Sequence, residues 1–177
     1  MALSAEPLLV TERLELWRPV KEDREALLAI VSDPETTRYL GRGHDPADHF
    51  QRFGRNAGSW FLYGYGACTV RVRGSAEIVG NCGVFHSWRG LGEDFDDKPE
   101  AGWIIRTDQA GQGFAHEAMA ASIGWFERAH GAQPIVCMIA PENTASVRLA
   151  DKLGFTPMRE AILSDGDAVT LLVRPAR

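Results

Sequence analysis

The sequence predicts a single α/β (α+β) domain over residues 1–177, built on a mixed, largely antiparallel β-sheet. Three observations lead to this fold class. Apolar runs of strand length alternate with segments of helical periodicity along the chain. A glycine-rich turn at 109–115 joins a strand-like run directly to a helix-like run. The length of 177 residues suits one domain with a substantial core, and the sequence contains no internal repeat or low-complexity segment.

The first half of the chain predicts a strand, two helices and a hairpin. Alternation with period two indicates the strands, and apolar residues along one side of a 3.6-residue period indicate the helices. Pro34 discourages the first helix from continuing, and Gly74 with Ser75 forms the hairpin turn. The predicted elements are a strand at 13–18, helices at 22–31 and from 46 to about 55, and strands at 66–73 and 77–86.

The second half alternates strands and helices and then closes with another hairpin. Its long helix has an apolar stripe that can pack on the sheet. The stripe consists of Ala115, Met119, Ser122, Ile123 and Phe126. The predicted elements are a strand around 103–105, a helix at 115–129, a strand at 134–139, a short helix ending at 153, and strands at 157–163 and 168–174 around a turn at 165–167.

Composition and charge argue against several classes of protein. The chain is 45% hydrophobic and 24% charged, as is usual for a globular protein. Its net charge of −5 argues against nonspecific nucleic-acid binding, and no apolar run approaches the roughly 18 residues that a membrane span needs. Three cysteines and five histidines show no metal-ligand spacing, and the first residues do not resemble a secretory signal. We therefore expect no metal, no membrane or nucleic-acid partner, and a cytoplasmic location.

Two clusters of like charge have alternative interpretations. For the four arginines, a solvated helix face is favoured over a local basic patch. For the four acidic residues, a solvated loop is favoured over a site that attracts a cationic amine. The arginines are Arg38, Arg42, Arg52 and Arg55. The acidic residues are Glu93, Asp94, Asp96 and Asp97.

The turn at 109–115, with the sequence QAGQGFA, is the most informative stretch. Its small residues Gly111, Gly113 and Ala115 leave backbone N–H groups uncovered where a helix begins. Such groups and the helix dipole form an anion site suited to a pyrophosphate. A P-loop is excluded because no Lys-Ser/Thr follows, and the last G-x-x-G spacing of a dinucleotide fingerprint is absent. A tight connection without a ligand is the alternative.

The order of motifs around this turn resembles the GCN5-related N-acetyltransferases (GNAT), and most closely their ribosomal-protein N-terminal acetyltransferase-like (RimJ/RimL-type) branch. After the turn and its helix come a buried strand, the motif Asn143-x-x-Ser146, a short helix and the pair Gly154-Phe155. Further segments resemble the branch's opening strand, first helix terminus, third strand and fourth strand. These segments are TERLEL at 11–16 with Arg18-Pro19, SDPE at 32–35, IVGNCG at 78–83 and PEAGW at 99–103.

The resemblance implies a GNAT-like domain whose sheet has about seven strands flanked by about four helices. It also implies transfer of an acetyl group from acetyl-CoA to a primary amine, either a protein N-terminus or a small-molecule amine. Direct transfer is preferred because the sequence shows no activated nucleophile. The alternatives are a noncatalytic acyl-CoA-binding or regulatory module and a nucleotide-binding enzyme of another class. Oligomeric state is left open, with a homodimer as the candidate.

By the same resemblance, the turn's backbone holds the pyrophosphate and the strand before it pairs with the pantetheine arm as an added strand would. Asn143 is expected to cap the following helix and, as in relatives, to contact the arm. The acceptor pocket is expected at 46–65 and 87–99. The predicted cofactor-binding residues are Ile104, Ile105, Gly111, Gln112, Gly113, Phe114, Ala115 and Asn143.

Two residues are predicted to be catalytic. Glu100 matches a glutamate of the branch and is the candidate general base, with an exposed strand-end glutamate as the alternative. Many relatives have a tyrosine acid where this chain has Ala150, so Ser146 is the candidate donor to the CoA thiolate, with a backbone-bonding first-turn serine as the alternative. Cys137 lies in an apolar run, and core packing is favoured over a nucleophilic role. The side-chain part of the turn departs from the family, which usually has Arg or Gln at the position of Ala110.

Overall fold

The computed structural model describes residues 6–40 and 45–176, which form one mixed eight-stranded sheet with five α-helices. The strands are β1 Leu9–Val10, β2 Leu14–Trp17, β3 Ala67–Val72, β4 Ile78–His86, β5 Pro99–Ile105, β6 Ile135–Ile139, β7 Thr156–Ile162 and β8 Ala168–Arg174. The helices are α1 Arg24–Ser32, α2 Pro34–Thr37, α3 Pro46–Tyr63, α4 Phe114–His130 and α5 Thr144–Lys152, with 3₁₀ turns at Lys21–Asp23 and Thr107–Gln109. The predicted fold class is confirmed, with one more strand and one more helix than expected.

The sheet contains one parallel junction. The strand order is β1-β2-β3-β4-β5-β6-β8-β7, and every neighbouring pair is antiparallel except β5 and β6. β5 pairs with β4 along its whole length, but with β6 only where Glu100 faces Val136. Beyond that pair, one edge of β5 from Ala101 to Ile105 has no strand partner among residues 6–40 and 45–176. We call this gap the β5–β6 cleft.

Helix α4 is fixed to the sheet by the predicted apolar stripe. Met119, Ser122, Ile123 and Phe126 are buried, whereas Ala115 is partly exposed. Full burial of a side chain the size of Met119 or Phe126 contributes about 1.5–3 kcal/mol. The packing of α4 against β4 and β5 holds its first turn next to the end of β5.

Two helices differ from the prediction. α3 continues past residue 55 to Tyr63, because tertiary contacts hold its last turns: the Ser59 hydroxyl donates to the carbonyl of Tyr65 (2.6 Å), and the Trp60 indole donates to the carbonyl of Ala67 (3.1 Å). Pro34 ends the first helix as expected, but it also begins α2. The Asp33 side chain caps that helix by accepting two backbone N–H groups. Among the described helices, none has the length and apolar character to cross a membrane.

Candidate active site

The glycine turn presents free backbone donors at the start of α4. Gly111 and Gly113 have φ values of 78° and 82°, in the left-handed region that favours glycine, and Gly113 is the N-cap of the helix. Within the described part of the chain, the amides of residues 111–116 donate to no protein acceptor. The first protein-bound amide of α4 is that of Glu117, which donates to the carbonyl of Gly113 (3.0 Å). These free amides at a helix N-terminus form an arrangement suited to an anion.

Arg13 and Glu117 brace this turn. The Arg13 guanidinium donates to the carbonyl of Gln112 (2.8 Å) and to the Glu117 carboxylate (2.7 Å), and it lies over the ring of Phe114, with 4.9 Å from Cζ to the ring centroid. Glu117 also accepts hydrogen bonds from the Thr11 hydroxyl (2.6 Å) and the Arg13 amide (2.9 Å). Burial by itself would raise the pKa of Glu117, but the hydrogen bonds from Thr11 and Arg13 bring that pKa below its ordinary value. The carboxylate is therefore a stable anchor for the turn.

An open pocket adjoins the turn. Its lining carries both charge signs, with the cations of Arg13 and Lys152 and the carboxylates of Glu12 and Glu117. The pocket is lined by Glu12, Arg13, Gly113, His116, Glu117, Ala120 and Lys152.

The β5–β6 cleft continues from the turn along β5. Ile104 and Ile105 are partly buried, and their strand has an edge to which an extended, amide-bearing molecule can add. The Trp103 indole on β5 donates to the Ser146 hydroxyl on α5 (3.1 Å) and so bridges the cleft. Because that hydroxyl oxygen is the acceptor, its own hydrogen is available to another partner.

The Asn143-x-x-Ser146 motif begins α5. The Asn143 side chain accepts a hydrogen bond from the amide of Ser146 (3.1 Å), so the predicted N-cap is confirmed. Ala150, at the position where many relatives have a tyrosine, is fully buried in the core and has no hydroxyl. The α5 hydroxyl that contacts β5 is that of Ser146.

Glu100 lies at the point where the cleft closes. It is only 3% exposed, so the interpretation as an exposed strand-end glutamate is wrong. Arg89 binds it through two hydrogen bonds, Nε to Oε2 and Nη2 to Oε1, each 2.7 Å. The Ser87 hydroxyl donates to Oε2. Both carboxylate oxygens are therefore occupied, and Ser87 is a hydroxyl through which a proton can reach Glu100.

The cysteines are buried thiols. Burial raises the pKa of Cys137, and the nearby charge of Glu100 raises it further. Burial also raises the pKa of Cys68 and of Cys82, which face each other across β3 and β4, to about 12. Each therefore stays protonated near neutral pH, which does not favour a nucleophilic role. In the described ranges, no cluster of His, Cys, Asp and Glu has the geometry of a metal site.

The acidic residues after β4 bind within their own loop and its neighbours. Asp94 accepts two hydrogen bonds from Arg159 (2.7 and 2.8 Å), and Asp97 lies 3.2 Å from His86. Asp96 accepts from the amide of Arg89 (2.9 Å) and from the amides of two glycines. Three of the four carboxylates thus bind within the loop or to its neighbours, and Glu93 is exposed, which agrees with the expected solvated loop. Of the four clustered arginines, Arg42 lies outside the described residues.

Sequence reasoning missed four residues of this site. Arg13 and Glu117 lie 104 positions apart, and Ser87 and Arg89 lie in a loop whose path the sequence did not define. The TERLEL motif contains Arg13 but gives no sign that its side chain contacts the turn at residue 112. The predicted site residues lie along β5, the turn and α5, with Glu100 at one end and the turn at the other.

Comparison with known proteins agrees with this architecture. The family model "Acetyltransferase (GNAT) domain" matches residues 13–156. An uncharacterized N-acetyltransferase, p20, of Bacillus licheniformis is 27% identical over 159 residues, which cover 89% of this chain and 85% of that protein. A putative GnaT-family acetyltransferase from Bordetella pertussis superposes with a TM-score of 0.83 at 31% identity, over 94% of this chain and 98% of that one.

The predicted branch is also represented among similar structures. RimL, a ribosomal L7/L12 α-N-protein acetyltransferase solved with coenzyme A bound, superposes with a TM-score of 0.72 over 97% of this chain and 98% of that one. Its identity to this chain is 17%, so the likeness concerns the fold.

Proposed function

Because the chain belongs to the GNAT acetyltransferase family, we propose that it transfers the acetyl group of acetyl-CoA to a primary amine. One observation carries this proposal: the free amides of residues 111–116 follow, after a short 3₁₀ turn, the strand whose edge opens into the β5–β6 cleft. An anion site followed by an open strand edge suits a diphosphate followed by an amide-bearing arm. The coenzyme A bound to RimL supports the same choice of cosubstrate.

The length of β5 sets the distance between the turn end of the cleft and Glu100. Five residue steps separate Ile105 from Glu100, which corresponds to about 17 Å of extended strand. In our proposal the diphosphate binds residues 111–115 with Gln112 and Phe114 among them, and the arm pairs with Ile104 and Ile105. The thioester then lies between Ser146 and Glu100.

The chemistry assigned to the residues is direct transfer. The neutral amine nitrogen attacks the thioester carbonyl carbon, the carbon–sulfur bond breaks, and the sulfur leaves with the bonding electron pair. Glu100 accepts the proton lost by the amine, and Ser87 relays it because its hydroxyl donates to that carboxylate. Ser146 donates a hydrogen bond to the departing sulfur, since its oxygen already accepts from Trp103.

The acceptor is a protein N-terminus or a small-molecule amine. The ribosomal substrate named for RimL supports the first class, whereas the family as a whole is compatible with either. We further propose that residues 1–177 act as one catalytic domain, with a homodimer as the candidate assembly. Three buried, unpaired thiols favour a reducing compartment such as the cytoplasm.

Two measurements, a binding titration and then an activity screen, test this function. In a thermal-shift titration, coenzyme A should raise the melting temperature, whereas ATP and NAD should not, because a ligand that binds the native state stabilises it by mass action. Acetyl-CoA-dependent thiol release is then measured over peptides, amino acids, polyamines and aminoglycosides. Binding without turnover on every amine would favour a noncatalytic acyl-CoA-binding module, and a shift with ATP or NAD alone would reject both ideas.

A further inference from the structure

The loop between β4 and β5 carries the two side chains that bind Glu100. Ser87 and Arg89 occupy its first and third positions, and both reach the same carboxylate. The register of the sheet brings the two ends of the loop together, because His86 pairs with Pro99 across β4 and β5. The contacts of Glu100 therefore depend on how the first three residues of this loop are held.

Two consecutive aspartates at the end of the loop hold its beginning on both sides. Asp96 Oδ1 accepts hydrogen bonds from the amides of Arg89 (2.9 Å) and Gly90 (3.1 Å). Asp97 Oδ1 lies 3.2 Å from Nε2 of His86, the residue just before the loop. Asp97 has a left-handed φ of 57°, a backbone conformation that persists where surrounding contacts compensate for its cost. The segment that binds Glu100 is thus fixed at its start through Asp97 and at its end through Asp96.

The His86 imidazole is also held from the side of the core. Its ring stacks on the ring of Tyr63, with 3.8 Å between the centroids, and its Nδ1 lies 3.3 Å from the Tyr65 hydroxyl. Burial raises the pKa of Tyr65 to about 12, so the hydroxyl keeps its proton near neutral pH and can donate it to Nδ1. A neutral imidazole that accepts at Nδ1 carries its hydrogen on Nε2, the atom next to Asp97. The imidazole therefore links the core to the end of the loop.

We propose that His86, held between Tyr65 and Asp97, is a positioning residue that keeps Ser87 and Arg89 on the carboxylate of Glu100. This inference rests on the proposed acetyl transfer and names the groups on which its general base depends. The Asp97 side chain is 68% exposed, and an exposed ion pair contributes little to overall stability. Loss of the Asp97 contact should therefore lower the rate of transfer without lowering the melting temperature appreciably.

Two variants that break the Asp97 contact from opposite sides test this role. Asp97→Gly removes the carboxylate and tolerates a φ of 57°, and His86→Phe keeps a ring at the stacked position but removes both nitrogens. Each should lower kcat about fivefold or more and leave the KM for acetyl-CoA within about twofold. Asp97→Gly should melt within about 2 °C of the wild type. The matched control is Asp165→Gly, at an exposed aspartate of the turn between β7 and β8, which should change none of these values.

A second background shows whether the effect passes through Glu100. Combined with Glu100→Gln, Asp97→Gly should lower kcat by less than about twofold, because the carboxylate that the segment positions is already absent. An equal fold loss in the two backgrounds, or an unchanged kcat in both Asp97→Gly and His86→Phe, would overturn the positioning role. So would a loss of kcat in Asp97→Gly that is accompanied by a large fall in melting temperature.

Failure of this inference is distinguishable from failure of the transfer proposal. The outcomes that overturn the role of His86 leave acetyl transfer by the wild type intact. If no amine releases thiol, the transfer proposal fails, and hydrogen exchange still tests how the loop is held. The amides of Arg89 and Gly90, which donate to Asp96, should exchange about fivefold faster or more in Asp97→Gly and in His86→Phe, and at the wild-type rate in Asp165→Gly. Unchanged exchange in the first two variants would reject the positioning of this segment.

Discussion

The Glu117 carboxylate holds both the backbone amide of Arg13, at 2.9 Å, and its guanidinium, at 2.7 Å. The guanidinium also donates to the carbonyl of Gln112. The residue just before β2 thereby fixes the first turn of α4 and the glycine turn before it. The conformation that exposes the free amides depends on this distant anchor as well as on the local sequence.

Replacing the anchor should cost stability in a pH-dependent way. Glu117→Gln removes charge-assisted hydrogen bonds and should lower the free energy of unfolding by about 2 kcal/mol at pH 7. Since burial is outweighed by the hydrogen bonds from Thr11 and Arg13, the pKa of Glu117 lies below its ordinary value of 4.5. Its stabilisation is complete above that ordinary value and is lost as the pH falls through the lower, folded value. Calorimetric melting from pH 7 to pH 3 should show the wild type and variant converging.

The control for this prediction is Glu160→Gln, on exposed strand β7. It should have little effect on the melting temperature at pH 7. A wild-type advantage over Glu117→Gln that stays constant down to pH 3 would contradict the proposed role of the carboxylate.

Gly113 should be required for binding of acetyl-CoA. Gly113→Val introduces a side chain where φ is 82° and where, in our proposal, the diphosphate approaches the backbone, so the dissociation constant should rise at least tenfold. Gly131→Val is the matched control: its φ is 84° at the other end of α4, and a Cβ added there would have no atom within 4 Å outside the adjoining chain. Titration calorimetry on the two folded variants should give near-normal affinity for Gly131→Val alone. Near-normal binding by Gly113→Val would refute the assignment.

Glu100 and Ser87 should act together on the rate of the chemical step. Glu100→Gln should lower kcat by about 10²-fold or more, because it removes the proposed proton acceptor. Ser87→Ala leaves the pair of Arg89 and Glu100 in place but deletes the relay, so it should also lower kcat. Steady-state rates across pH would detect both effects. A pH–rate profile unchanged in Glu100→Gln would remove this residue from the mechanism.

Ser146 should stabilise the departing sulfur rather than bind the cosubstrate. Ser146→Ala should reduce kcat roughly tenfold, the effect of losing a hydrogen bond of about 1.4 kcal/mol, and leave the KM for acetyl-CoA within about twofold. Thr144→Ala, an exposed first-turn position of the same helix, serves as the control. If Ser146→Ala and Thr144→Ala have equal kcat values, Ser146 has only its structural role.

Local features of the fold and site could be predicted from the sequence. The turn at 109–115 follows from residue size and helix-terminus chemistry, and the cap at Asn143 follows from one side chain and an amide three residues later. The extent of α3 could not be derived in this way. Its last turns depend on Ser59 and Trp60 bonding to the chain beyond the helix, and local propensity does not contain that information.

Side-chain pairs between distant segments were equally beyond prediction. Glu100 was identified as a site residue, but its burial against Arg89 depends on how the loop after β4 folds back. The acidic run gave no indication that Asp94 would bind Arg159, 65 positions later. Such pairs are set by sheet register and loop path, which the spacing of residues does not encode.

The single residue pair between β5 and β6 has a mechanical consequence. Besides that contact and the Trp103–Ser146 bridge, the two halves of the sheet are joined by ion pairs and by core packing rather than by further strand pairing. Arg159 on β7 binds Asp94, Arg174 on β8 binds Glu127 on α4, and Phe95 packs against Val136 and Leu171. A cosubstrate bound in the β5–β6 cleft would contact both halves of the sheet along several residues. The sheet would therefore be more rigid with the cosubstrate bound than without it. Each turnover would then stiffen the molecule on loading and loosen it on release.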